Sequence, residues 1–266
     1  MASSSSMPLG SFNSANGKVI IVTGAGAGIG FAIANTLLDD EATSLVITID
    51  VNTEKLKALI DLHSERLTVI QGDVSDRSVS QRAVETALNR RGKVDCLILN
   101  AGVLSPVGRV EATAVAEWKN LFDINFFALV HAIQLALPYL RRVNGQVLMT
   151  SSGVSLRPFP SWVPYACSKA AMNCLCSCLP TEEDQVRFLC VTPGIVDSGM
   201  QGQAREEHKS NMTPQQHEWL SSLHTKGELL RPQQPANSFA KLALRGIPKV
   251  LNGMVISWND PRIDDE

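Results

Sequence analysis

The stretch KVIIVTGAGAGIGFAIANTLL, which spans residues 18–38, decides the fold of this chain. It begins as a β-branched apolar run, continues as a glycine-rich turn and ends with apolar residues at helical spacing, which predicts a strand, a turn and a helix. Such a turn lets backbone N–H groups approach a pyrophosphate at the start of a helix, where the helix dipole favours negative charge. We therefore predict a dinucleotide-phosphate site formed by Gly24, Ala27, Gly28, Ile29 and Gly30.

A second apolar run, LVITID, ends at Asp50, 26 residues after Gly24. An acidic residue at this point accepts hydrogen bonds from ribose hydroxyls and repels a 2′-phosphate. The chain has no Arg or Lys between Gly24 and Lys55 that could pair with such a phosphate. The charge pattern therefore predicts NAD(H) in preference to NADP(H). The alternative is that Asp50 only caps the helix predicted for VNTEKLKALIDL.

Strand and helix patterns alternate through the rest of the chain. Further strand patterns are LTVIQGDV, VDCLILNAG, GQVLMTSS, VRFLCVTPG and GMVISW. This alternation predicts an α/β fold, a Rossmann-type doubly wound parallel sheet of about seven strands with helices on both faces. We expect residues 17–266 to form a single domain after a disordered tail at residues 1–16. Ligands bind beyond the carboxyl ends of such strands, where NAG, SSG and PGIVDS fall.

Composition excludes several classes of function. The 24 Lys and Arg residues are balanced by 26 Asp and Glu residues without a basic run, so neither nucleic acid nor an anionic membrane is an expected partner. No signal peptide is recognisable and no apolar run reaches the ~18 residues that span a bilayer, which predicts a soluble, cytoplasmic protein. We also expect no metal site, because Cys176 points away from the helix face shared by Cys174 and Cys178.

The segment YACSK contains Tyr165, one of only two tyrosines, four residues before Lys169. On a helix these two residues lie on one face about one turn apart. A neighbouring ammonium group would lower the phenol pKa from its usual value of ~10 and make the phenol a general acid or base. The alternative is an aromatic residue and a surface lysine that share this spacing by chance.

Taken in order, these motifs resemble the short-chain dehydrogenase/reductase family from about residue 17 to residue 262. TGAGAGIG fits the family's T-G-x-x-x-G-x-G, NAG fits its fourth-strand signature, and Asp73 with Val74 fits its adenine-side pair. Ser152 stands at the family's interval of 13 residues before Tyr165, and Asn125 matches its fourth catalytic position. GKVDCLILNAGVLSPV, EWKNLFDINFF and NGMVISWND further resemble fungal enzymes of the benzil-reductase and sepiapterin-reductase-like branch, whose reductases often use NADPH.

The resemblance implies a chemistry. Tyr165 gives a proton to a carbonyl oxygen, or takes one from an alcohol, while a hydride passes to or from the nicotinamide. Ser152 binds the same oxygen, Lys169 contacts the ribose and tunes the phenol, and Asn125 holds a water that links Lys169 to solvent. Besides the glycine turn and Asp50, the implied cofactor-binding residues are Asp73, Val74, Asn100, Ala101, Gly102, Tyr165, Lys169, Pro193, Gly194, Val196 and Ser198.

Three positions depart from the family pattern. Leu99 precedes Asn100 where many relatives have a second Asn, and Ser198 replaces a Thr. Pro180 falls where the helix from Tyr165 would continue, so we expect this helix to end or bend early. In the family that helix forms half of a dimer interface. We expect a homodimer, with an interface whose extent depends on this early end.

Residues 199–232 form a polar stretch that interrupts the alternation and is long enough for a substrate lid. Apolar residues near the strand ends, Leu104, Val154, Phe159 and Trp162, are consistent with a pocket for a bulky or aromatic carbonyl or alcohol substrate. The alternative function is a dinucleotide-binding sensor or interaction module without turnover. The presence of all four residues of the tetrad favours the enzyme.

Overall fold

The computed structural model describes residues 17–157 and 159–265, so the tail predicted at residues 1–16 lies outside the described residues. The described part contains seven strands: β1 (Lys18–Thr23), β2 (Thr43–Asp50), β3 (Leu67–Gln71), β4 (Cys96–Leu99), β5 (Gln146–Thr150), β6 (Arg187–Thr192) and β7 (Val255–Ser257). They form one parallel sheet in the order β3-β2-β1-β4-β5-β6-β7. The predicted doubly wound sheet is confirmed, and its strand order reverses between β1 and β4.

Helices connect these strands and cover both faces of the sheet. They are α1 (Gly28–Asp39), α2 (Lys57–His63), α3 (Arg77–Arg91), α4 (Val115–Phe122), α5 (Ala128–Arg141), α6 (Val163–Cys178), α7 (Gly199–Glu206), α8 (Pro214–Thr225) and α9 (Gln233–Arg245). In β1, Val19 and Ile21 pack on the face covered by α3, α5 and α6. Ile20 and Val22 pack on the face covered by α1 and α9. Because both faces are buried, all four residues at positions 19–22 of the strand are apolar.

A π-helical turn, Asp123–Phe127, joins α4 to α5, so that residues 115–141 form one helix of 27 residues. By length and composition this helix could cross a membrane, contrary to our expectation that no stretch of the chain has the required length. Ala128, Leu129, Ile133 and Leu140 of α5 belong to the core cluster on one face of the sheet. These apolar residues therefore cover the sheet, which accounts for part of the helix's low polarity.

The end of α6 agrees with two predictions. The helix ends at Cys178, and Pro180 lies in the short 3-10 turn that follows. Cys176 is buried, whereas Cys174 and Cys178 are exposed, so Cys176 does face away from the other two. Leu99 is also buried, as expected for a residue that faces the core.

Residues 199–232 are largely helical, and the helices were not predicted from this polar stretch. The helices α7 and α8 form a covering segment over a third apolar cluster that contains Leu104, Leu121 and Tyr165. A capping box begins α8: Thr213 Oγ1 accepts from Gln216 N at 3.3 Å, and Thr213 N donates to Gln216 Oε1 at 3.0 Å. The sequence TPQQ at residues 213–216 is a helix-start pattern, but the helix was not predicted because the whole segment is polar.

Candidate active site

The glycine turn between β1 and α1 allows a close approach to its backbone. Gly24 and Gly28 have φ values of +66° and +53°, which favour glycine. A β-carbon on Gly30 would lie 2.1 Å from Gly24 O, and one on Gly26 would lie 2.0 Å from Asn52 O. Ala27 precedes α1, and among the described residues no side chain accepts a hydrogen bond from the N–H groups at the start of this helix. The first N–H groups of α1 can therefore bind an anion.

Asp50 is the last residue of β2 and points its carboxylate at the glycine turn. Its Oδ2 accepts from Gly26 N at 2.7 Å and its Oδ1 accepts from Asn52 N at 2.9 Å. The next helical turn is preceded by Thr53, so the alternative that Asp50 caps that helix is wrong. A carboxylate accepts about four hydrogen bonds, which leaves positions for ribose hydroxyls.

The other adenine-side residues follow β3. Asp73 Oδ1 accepts from the backbone N and the Oγ of Ser75, at 2.9 and 2.8 Å, and Val74 is buried in the core. One contact in this region, made by Arg82, was not predicted from the sequence. Arg82 of α3 donates to Gln71 O at 3.3 Å, and Gln71 pairs with Asp50 in the sheet. The fold thus brings a cation toward the ends of β2 and β3, although no cation is close to Asp50 in sequence.

Asn100 joins the ends of three strands. Its backbone N donates to Thr23 Oγ1 at 3.0 Å, and its Nδ2 donates to the carbonyls of Thr23 and Gly24 at 3.2 and 3.1 Å. Its Oδ1 accepts from Thr150 Oγ1 at 3.1 Å. The adjacent Ala101 N also donates to Thr23 Oγ1, at 3.1 Å. These bonds fix the loop at residues 100–102 against the glycine turn.

The segment after β6 also approaches the glycine turn. Gly194 has a φ of +78°, and a β-carbon there would lie 2.6 Å from the side chain of Leu230. Val196 forms an isolated parallel bridge with Leu230, and Pro193 is buried. Ser198 immediately precedes α7, and a β-carbon on Gly28 would lie 3.6 Å from its Cβ. The predicted cofactor-binding segments therefore meet at one edge of the sheet.

Tyr165 and Lys169 are both buried on α6, with 6% and 3% of their surface exposed. The alternative of a surface lysine is therefore wrong. Lys169 Nζ donates to Thr150 O at 2.7 Å and lies 5.8 Å from the centroid of the Tyr165 ring. A β-carbon on Gly102 would lie 3.5 Å from the same Nζ. The ammonium group thus sits at the carboxyl ends of β4 and β5.

Burial decides the protonation of this pair. It raises the pKa of Tyr165, while the nearby Ser152 side chain acts in the opposite direction. It also lowers the pKa of Lys169 to about 8. The predicted lowering of the phenol pKa by Lys169 is therefore wrong for the protein alone, since desolvation of the ring has the larger effect. In this structure the ammonium group bonds instead to the Thr150 carbonyl.

Asn125 lies within the π-helical turn and is fully buried. Its Oδ1 accepts from Val103 N at 2.8 Å, and its Nδ2 donates to Val103 O at 2.9 Å and to Ser168 Oγ at 3.2 Å. The side chain therefore ties the loop after β4 to α6. Its Oδ1 keeps one free acceptor position, which is the position that the predicted water could use. Turns of this kind occur frequently at functional sites.

The apolar residues predicted for the substrate pocket surround Tyr165. Leu104, Val154, Phe159 and Trp162 all belong to the apolar cluster that contains it. The centroids of Phe159 and Trp162 are 4.7 Å apart, and those of Trp162 and Tyr165 are 6.1 Å apart. The covering segment adds Trp219, which lies 6.0 Å from Phe159. Trp219 was not predicted because its helix, α8, was not.

A doubly wound parallel sheet with a glycine turn at the first helix and an acidic residue at the end of the second strand defines the class of Rossmann-type dinucleotide-binding proteins. Comparison with known proteins gives the family. The sequence profile of the short chain dehydrogenases matches residues 18–209. The chain belongs to the short-chain dehydrogenase/reductase family, whose members are oxidoreductases that bind NAD(P)(H).

The most similar proteins include several from yeast. A benzil reductase of Saccharomyces cerevisiae that forms (S)-benzoin is 35% identical over 257 residues, which are 93% of this chain and 98% of that enzyme. A crystal structure of a short-chain dehydrogenase/reductase from the same yeast has a TM-score of 0.91 and 41% identity, and covers 94% of this chain and 99% of that chain. Another solved yeast structure, described as a cytoplasmic protein with unknown function, has a TM-score of 0.79 and 40% identity with the same coverage. The predicted resemblance to the fungal benzil-reductase branch is confirmed.

Proposed function

We propose that this protein reduces a ketone or diketone to the alcohol, or catalyses the reverse reaction, with Tyr165 as the proton donor or acceptor. The observation that carries the proposal is the burial of Tyr165 and Lys169 at the carboxyl ends of β4 and β5, beside the loop at residues 100–102. A nicotinamide cofactor supplies or accepts the hydride when it is bound. The glycine turn would hold its pyrophosphate, and the loop at residues 100–102 with Lys169 would hold its nicotinamide ribose.

The protonation of Tyr165 in the protein alone suits the reduction half of this reaction, in which the phenol acts as an acid. Burial raises the pKa of Tyr165, so the phenol carries its proton at neutral pH and is ready to act as a general acid. The Ser152 side chain acts on the pKa of Tyr165, so its hydroxyl lies on the same side of the site, where it would donate to the same carbonyl oxygen and stabilise the developing alkoxide. As the alkoxide forms, the phenol proton moves to the substrate oxygen. Lys169 then stabilises the phenolate that remains.

We propose NAD(H) as the preferred cofactor. Two carboxylate positions of Asp50 are free for ribose hydroxyls, and a 2′-phosphate beside that carboxylate would be repelled. Arg82 opposes this preference, because its guanidinium reaches the neighbouring strand end at Gln71. Asp50 contacts the glycine turn directly, whereas Arg82 is an exposed contact one strand away, so we give Asp50 the larger effect.

We propose a substrate class, a domain organisation and an assembly as well. The substrate is a bulky or aromatic carbonyl compound, as the aromatic cluster around Tyr165 and the benzil reductase among the relatives suggest. Residues 17–266 act as a single domain in which the covering segment is a substrate lid. The protein is cytoplasmic, like the yeast protein so described, and forms a homodimer.

The test uses purified protein with benzil and NADH or NADPH, followed by loss of cofactor fluorescence. The change Tyr165→Phe removes only the hydroxyl group, so cofactor binding is kept while the rate falls by ~10²–10⁴-fold. The chain offers a matched control in its other tyrosine, because Tyr139 stacks with Arg142 on α5 and Tyr139→Phe leaves the rate unchanged. A rate for Tyr165→Phe within a few-fold of the wild type contradicts the proposal and favours a non-catalytic nucleotide-binding protein.

A further inference from the structure

The residues before α6 bring a second polar group close to Tyr165. The indole ring of Trp162 lies almost perpendicular to the Tyr165 ring, at 85°, with the centroids 6.1 Å apart. Its Nε1 is buried and has no hydrogen-bond partner among the described residues. The indole nitrogen can only donate, and a buried donor without a partner costs free energy. A phenylalanine would supply a similar apolar ring without this cost.

The backbone holds Trp162 in a defined position. Ser161, the residue before it, has a φ of +65°, an unfavourable value for a residue other than glycine. The conformation is kept by a hydrogen bond from Gly108 N to Ser161 O at 2.8 Å and by the start of α6, where Ala166 N donates to Trp162 O at 2.8 Å. Strained backbone and an unpaired buried donor at adjacent residues indicate a position maintained for binding.

We propose that Trp162 Nε1 is a hydrogen-bond donor for a second oxygen of the substrate and selects carbonyl compounds with an acceptor oxygen next to the reacting carbonyl. This inference rests on the proposed function, in which Tyr165 binds the reacting oxygen. Trp162 lies three residues before Tyr165 and in contact with the same apolar cluster. A vicinal dicarbonyl compound presents one oxygen to each donor, and Phe159 and Trp219 provide apolar area for its substituents.

The experiment compares two substrates with the same two phenyl rings. Benzil has two adjacent carbonyl groups, whereas deoxybenzoin has one, so only benzil has a second oxygen that can accept from Trp162 Nε1. We expect Trp162→Phe to lower kcat/KM for benzil by about 10-fold or more, and to leave kcat/KM for deoxybenzoin nearly unchanged. The control variant Phe159→Leu alters the apolar wall without removing a donor, and should affect both substrates by a similar factor.

A binding measurement separates this inference from the proposed function. In the Tyr165→Phe protein with bound NADH, benzil should bind more tightly than deoxybenzoin, and adding Trp162→Phe should remove that difference. Equal losses for both substrates in Trp162→Phe overturn the inference and leave the proposed function standing. If the wild type turns over neither compound but binding shows the Trp162-dependent difference, the proposed function fails and the recognition by Trp162 stands. If neither compound is reduced or bound, both are overturned.

Discussion

The buried Lys169 should affect how the free energy of unfolding depends on pH, which can be measured without a substrate. In the native protein only 3% of the surface of Lys169 is exposed, and its pKa falls from 10.5 to about 8. The unfolded chain therefore binds more protons than the native protein between about pH 8 and pH 10.5. Since stability rises with pH wherever the unfolded state binds more protons, this lysine makes the free energy of unfolding increase across that window.

The size of this change in the free energy of unfolding follows from the pKa values of Lys169 in the unfolded and native protein. Their difference corresponds to ~3 kcal/mol over the whole window, of which ~2 kcal/mol falls between pH 7.5 and pH 10. The change Lys169→Met removes the titrating group and keeps most of the apolar chain. Urea unfolding of the cofactor-free protein at both pH values should show that the wild type gains ~2 kcal/mol relative to this variant as the pH rises.

The other titrating groups are present in both the wild type and the Lys169→Met variant, so their contributions to the pH dependence cancel when the two are compared. The change Lys119→Met removes an exposed lysine from α4 and serves as the control, with the pH dependence of the wild type. If Lys169→Met also follows the wild type at both pH values, Lys169 keeps its ordinary pKa in the native protein. In that case the hydrogen bond to Thr150 O compensates for burial, and desolvation does not lower the pKa of Lys169.

Two further changes test the cofactor side of the site, and a third tests how Asn125 holds the loop after β4. The change Asp50→Asn removes the charge that opposes a 2′-phosphate, so the ratio of kcat/KM for NADH to that for NADPH should fall by ~10-fold or more; an unchanged ratio would show that Asp50 does not set the preference. Gly26→Ala places a β-carbon 2.0 Å from Asn52 O and should weaken NADH binding, measured by fluorescence titration, whereas Gly202→Ala adds a β-carbon with nothing within 4 Å and should not. Asn125→Ala leaves a backbone N–H and C=O of the loop after β4 without their side-chain partner, so urea unfolding should show a loss of ~2–4 kcal/mol; a loss below ~1 kcal/mol would mean that water replaces these bonds.

The sheet and the glycine turn were predictable because their signals are local. A strand buried on both faces is apolar along its buried length, as at residues 19–22 of β1, and a turn that excludes side chains must consist of small residues. Tyr165 and Lys169 were predictable from helical spacing together with the family motifs. Their position on one buried face of α6 follows directly from the helix period.

The features that were missed depend on contacts between distant parts of the chain. The carbonyl of Thr150 accepts a hydrogen bond from Lys169, which is 19 residues away. Arg82 of α3 donates to Gln71 O at the end of β3. The pKa of Tyr165 depends on how completely the ring is covered, and residue spacing carries no information about burial of that kind. The covering helices were missed for a different reason, because α8 is mostly polar and buries few residues, such as Leu220.

The π-helical turn at Asp123–Phe127 has a consequence for how this helix can evolve. A π turn contains one more residue than the α-helical turn it replaces, so the residues after it are rotated relative to a continuous α-helix. Leu121, before the turn, packs under the covering segment, whereas Leu129, after it, packs on the sheet. The extra residue separates the two apolar patterns, so each half of the helix can accept substitutions for its own partner. Deletion of one residue here would force both halves into a single register, and one of the two surfaces would lose its apolar side chains.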